Sequence, residues 1–144
     1  MSGISNYFMD LVADNLSNRS EMPATIYIAL VTAEPFMSST GTSIVEPPNN
    51  VGYSRQAYTM DSSNWSQSSS GVINNTSPVI FSDNSYGIWG TVIAWVACSA
   101  SSGGNVLFWG TLDAAVYINT GANVSVPVGG MTISVEPNSY TTSG

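Results

Sequence analysis

The chain has 144 residues, enough for one domain with a substantial hydrophobic core. Only 8% of residues are charged, there are two arginines, no lysine and no histidine, and the net charge is −7. That balance argues against nucleic acid and against an anionic membrane surface as partners, because too few cations are present to neutralise phosphates.

Other features narrow the class further. Hydrophobic residues reach 43% and aromatics 10%, as in a folded domain rather than a disordered one. No apolar run approaches the ~18 residues of a membrane span. No basic stretch followed by an apolar core opens the chain, so no secretory signal is expected.

Gly3–Asn18 is the clearest predicted helix. Ile4, Tyr7, Phe8, Leu11, Val12 and Leu16 recur at helical spacing on one stripe. Ser2 or Ser5 can cap its start, and Pro23 prevents continuation. The stripe either covers the sheet or docks on a neighbouring subunit. Because it is too apolar to face water, at least part of it is expected at a subunit contact, giving a homo-oligomer.

Thr25–Thr32 reads as a central strand, apolar on both faces. Ala33–Asn50 is a long Pro-, Ser- and Thr-containing loop, a length usually reserved for function or interaction. Tyr53–Met60 alternates like a half-buried strand. Ser62–Ser70 is polar with Trp65 stranded in it, and Val72–Asn74 and Val79–Phe81 are short strands. Ile88–Cys98 and Val106–Leu112, joined by a Ser/Gly turn, form a hairpin at the centre of the core and carry Trp89, Trp95 and Trp109. Ala115–Ile118, Asn123–Val128 and Met131–Val135 follow, and Pro137–Gly144 is a polar tail.

About eight to ten short strands at this spacing predict a mainly β fold, an antiparallel jelly-roll-like β-sandwich with one N-terminal helix. The expected division is a helix over 1–20, a sandwich over 24–136 and a tail over 137–144.

Little catalytic chemistry is available. Cys98 has no histidine to activate it and reads as a buried small hydrophobe. Asp61, Asp83 and Asp113 could in principle pair as glycosidase acids, but isolated acids beside turns usually cap them. Asp83-Asn84-Ser85 lacks the charge density of a calcium loop. No cofactor or metal is expected. Tyr58 and Trp65 could offer a sugar-stacking platform, although aromatics near strand ends are more often core edge. Arg55, one of two cations, is expected to pair with a carboxylate or with loop carbonyls.

Gly52-Tyr53-Ser54-Arg55-Gln56-Ala57, then Trp89-Gly90-Thr91-Val92, then Gly104-Asn105-Val106-Leu107-Phe108-Trp109-Gly110-Thr111-Leu112, then Met131-Thr132-Ile133-Ser134-Val135 occur in that order. Together with the opening helix and Thr25–Thr32, they resemble a family of small virion structural proteins of tailed bacteriophages, often labelled tail-fibre or minor structural proteins. The resemblance implies a virion location and no catalytic residues.

One compact domain without the repeats or heptads of a fibre shaft, and an acidic, lysine-free surface that packaged DNA would repel, make an outer-surface capsid decoration or cement protein the leading expectation. The alternative is a tail or tail-fibre protein that binds host carbohydrate. Expected partners are the major capsid protein or tail proteins, further copies of the chain, and a glycan under the alternative. Ile4, Tyr7, Phe8, Leu11, Arg55, Trp89, Trp95 and Trp109 are the structural and assembly candidates.

Overall fold

The computed structural model describes residues 3–81 and 86–134. The fold is mainly β and antiparallel throughout, with one helix near the start. The strands are β1 (Gly3–Ile4), β2 (Thr25–Val31), β3 (Gln56–Thr59), β4 (Val72–Asn74), β5 (Val79–Phe81), β6 (Gly90–Cys98), β7 (Val106–Ile118), β8 (Val124–Val126) and β9 (Thr132–Ser134). The helix, α1, is Asn6–Leu16.

Five strands form the main sheet in the order β1-β7-β6-β2-β3. β6 is its central strand, which explains a continuous apolar run: both faces are buried. One face carries Ile26, Ile28, Leu30, Val92, Trp95 and Leu107. It packs against two ribbons, β4-β9 and β5-β8, through Ile73, Val79, Phe81, Val126 and Ile133. The architecture is sandwich-like, with a second layer made of two separate ribbons rather than one continuous sheet.

The opposite face carries Ala29, Val31, Ala94, Val96, Cys98, Val106 and Trp109, and Ile44 of the 33–50 loop packs on it. The loop is tied down by backbone hydrogen bonds from Thr32 to Val45 and from Gly41 to Gly104, and by a bridge between Thr40 and Asn105. A Cβ on Gly41 would collide with the Gly103 carbonyl, so only glycine allows this approach. The long loop is therefore a cover for the sheet's second face.

Several sequence expectations are corrected. The helix does not begin at Gly3. Gly3 and Ile4 pair with Trp109 and Phe108 as an edge strand. Ser5 is the N-cap, its Oγ accepting from the Phe8 N–H while donating to the Val106 carbonyl. Asn18, at φ 60°, ends the helix in the left-handed conformation that asparagine tolerates. The strand expected over Tyr53–Met60 shortens to β3, so Tyr53 and Arg55 precede it. Ala115–Ile118 is not a separate strand but the end of β7. The turn after β6 behaves as expected, with Gly103 and Gly104 at φ 62° and 73°. Ser2, Asp83, Val135 and the tail from Pro137 lie outside the described residues.

Candidate functional site

The segment before β3 builds the most elaborate polar cluster described. Arg55 is buried, and its five guanidinium N–H groups all have acceptors. Nε donates to Glu46 Oε1 at 3.0 Å and Nη2 to Glu46 Oε2 at 2.9 Å, a bidentate pair. Nη2 also donates to the Gly41 carbonyl at 2.8 Å, and Nη1 to the Ala100 and Gly103 carbonyls at 2.8 and 2.9 Å. One side chain thus fastens the covering loop to the β6–β7 turn.

Tyr53 extends the cluster. Its hydroxyl donates to Glu46 Oε1 at 2.6 Å and accepts from the Leu30 N–H, which lies beyond the end of the β2–β3 pairing. Burial, reinforced by the Glu46 carboxylate, pushes the phenol far above its ordinary value. Burial opposes the charge on Arg55, but Glu46 outweighs it and the guanidinium is held above its usual value. The expected pairing with a carboxylate and with loop carbonyls is realised in full, within one chain.

The tryptophans lie in the core: Trp89, Trp95 and Trp109 are 2%, 3% and 6% exposed. None is available as a contact surface. Trp89 Nε1 donates to the Val51 carbonyl at 2.8 Å, whereas the buried indole N–H groups of Trp65 and Trp109 have no acceptor. Tyr58 and Trp65 are also buried and pack edge-to-face at 5.7 Å, so they cannot form the sugar-stacking platform considered above. Cys98 is buried, and burial pushes its thiol up to about 11. Asp61 caps a turn, accepting from the backbone N–H groups of Ser63 and Asn64. Among the described residues no group of acids, cysteines or histidines is arranged to hold a metal.

The helix stripe is divided by the fold. Ile4 sits in β1, and Phe8 meets Phe108 edge-to-face at 5.5 Å. Leu11 is half-buried. Tyr7, Met9, Val12 and Leu16 are exposed, Leu16 at 81%. At 100° per residue Met9, Val12 and Leu16 share one flank, which adjoins the side carrying Phe8. Exposed Phe36 and Met37 lie beside the first turn, where the Met37 carbonyl accepts from the Asn6 N–H.

A second feature had no signal in periodicity. β6 and β7 pair at Val92↔Val116 and again at Ala94↔Thr111, so Leu112 to Ala115 stand opposite Ile93 alone. This large bulge swings β7 away from the ladder. It opens a groove of about 450 Å³ between β7 and the β8 region, with Leu30 and Val92 among its lining residues.

The family model described as Podophage GP4 fiber I protein gp80 matches residues 3–134. The chain belongs to this family. The match runs from β1 to β9 and takes in every described element, including the Arg55 cluster, the buried hairpin and the bulge. Membership in a phage fibre family makes the chain a structural protein of a tailed-phage virion, as the four ordered motifs implied, and implies association with other virion proteins. A search of curated proteins finds no match.

Proposed function

We propose that the chain is a non-enzymatic component of a phage tail fibre that packs against other virion subunits through the exposed flank of α1. The observation that carries this reading is the division of the helix stripe. Phe8 anchors α1 to the sheet, which leaves Met9, Val12 and Leu16 as an apolar flank in water. Exposed apolar surface of this kind, next to Phe36 and Met37, is characteristic of surfaces covered in an assembly. The fibre is preferred to the capsid decoration favoured by composition because the matching family is described as a fibre protein. The acidic, lysine-free surface that suggested an outward capsid position suits an outward tail position equally well.

Deleting residues 1–20 would be a poor test of assembly, since it also removes β1 and the buried Ser5. The cleaner variant is Val12→Ser with Leu16→Ser. It is expected to fold normally and to lose self-association or incorporation into particles. Unchanged incorporation would remove α1 from the interface. Antibody labelling of intact particles tests location: label on the tail fits the reading, and label over the whole head returns the capsid alternative. Hydrolysis of glycans or peptides by the purified chain, lost on Asp61→Asn or Asp113→Asn, would overturn the non-enzymatic assignment.

A further inference from the structure

We infer that the 33–50 loop is a strap that closes as one unit, so that the Arg55 clamp at one end sets the apolar surface beside α1 at the other. The clamp end is Glu46, which accepts from Arg55 and Tyr53, and Gly41. The Gly41 carbonyl accepts from Arg55 Nη2, and its N–H donates to the Gly104 carbonyl. The other end is fixed to the helix. The first four N–H groups of a helix lack intrahelical acceptors. The Asn6 N–H finds one in the strap, the Met37 carbonyl at 2.8 Å.

Between these ends the strap is turned on itself. The Phe36 N–H donates to Ser39 Oγ, and the Ser39 N–H donates back to the Phe36 carbonyl. The Thr40 N–H donates to Ser43 Oγ, and the Ser43 and Ile44 N–H groups donate to the Thr40 carbonyl. A loop closed by its own turns opens as a cooperative piece rather than residue by residue. Ile44 packs on the sheet's second face, where Cys98 and Trp109 are buried. Opening uncovers that apolar surface, which favours the closed strap.

Closure also completes a docking surface, a consequence that rests on α1 being the docking flank. Phe36 and Met37 are exposed, and the Met37–Asn6 hydrogen bond holds them at the first turn of α1. A subunit that covers them together with Met9 and Val12 binds the closed strap better than the open one. Docking and strap closure are then coupled, each favouring the other.

The test is amide exchange and thiol labelling of the whole chain, with Glu46→Gln and Arg55→Lys compared with wild type. Neutral 4,4′-dithiodipyridine reports access to Cys98. In the wild type, protection at the Gly41 and Asn6 N–H groups should agree and lie about tenfold or more below that of β6. Both variants should lower the pair together by about tenfold or more and speed Cys98 labelling. The unit is overturned if Gly41 responds and Asn6 does not, if both are as protected as β6, or if labelling is unchanged. In assembled particles Cys98 should label about tenfold or more slowly than in the free chain, and equal rates would overturn the coupling. Val12→Ser with Leu16→Ser leaves the clamp intact. Its normal incorporation into particles would overturn the α1 flank alone, because strap opening is measured in the free chain.

Discussion

Replacing Arg55 by alanine is the sharpest probe of how the covering loop is held. The substitution removes five hydrogen bonds: two to Glu46 and one each to the carbonyls of Gly41, Ala100 and Gly103. An unpaired buried acceptor costs about 1–3 kcal/mol, and the three carbonyls sit at the lower end because water can enter the vacated space. The Glu46 side chain is 20% exposed and keeps the Tyr53 hydrogen bond, so its loss of a partner adds only about 1 kcal/mol. The sum is roughly 3–5 kcal/mol. For a domain of this length, that corresponds to a fall of roughly 6–20 °C in melting temperature. Urea denaturation and calorimetry measure both quantities. Amide exchange adds a local readout, since Gly41 N–H should lose protection before β2 does. Arg55→Lys, with three donors on a point charge, should fall between wild type and alanine. A double-mutant cycle with Glu46→Ala should show coupling of about 1 kcal/mol or more. A loss below about 1 kcal/mol for Arg55→Ala, with Gly41 still protected, would refute the idea that this side chain fastens the loop.

Alkaline pH should destabilise the fold. The Cys98 thiol rises from its ordinary 9.0 to about 11, and Tyr53 is raised too, so both are acids whose neutral form the fold favours. Their contribution is fully present below the ordinary values and is lost as pH climbs, for Cys98 between 9.0 and about 11, worth about 2–3 kcal/mol. Denaturation midpoints measured across this range should fall, and Cys98→Ala should shrink the fall; a flat profile would contradict the burial argument. Trp89→Phe should cost more than Trp109→Phe by about 1 kcal/mol, because only Trp89 gives up a hydrogen bond while Trp109 loses an unsatisfied N–H. Thermal melts of the pair decide it. Gly41→Ala should destabilise by about 2 kcal/mol or more, since the added carbon meets the Gly103 carbonyl; a wild-type melt would mean the loop can shift freely.

Local chemistry made much of the fold legible in the sequence. The apolar runs of β2 and β6, the double glycine before β7 and the short strands β4 and β5 are each encoded within a few residues. The scarcity of cations singled out Arg55, because a chain with two arginines rarely leaves one without a defined partner. Periodicity also located α1, since apolar residues at helical spacing mark a helix whatever covers it.

What tertiary structure decided was which side of each element met which neighbour. The spacing of Tyr7, Phe8, Leu11, Val12 and Leu16 could not reveal that Phe8 is the stripe residue of α1 packed on the core while Tyr7, Val12 and Leu16 stay exposed, because the width of a helix's contact depends on the surface beneath it. Tyr58 and Trp65 lie in polar sequence yet are buried, since residues distant in the chain close over them. The 33–50 loop carries no strand signal, and its role as a cover comes from Arg55 hydrogen bonds that span up to 48 residues. The bulge at Leu112 to Ala115 was hidden for a related reason: β7 was expected to break there, but pairing with β6 on both sides of Ile93 carries it through. Short-range patterns specify elements, whereas the partners of a side chain depend on contacts that only the folded chain brings together.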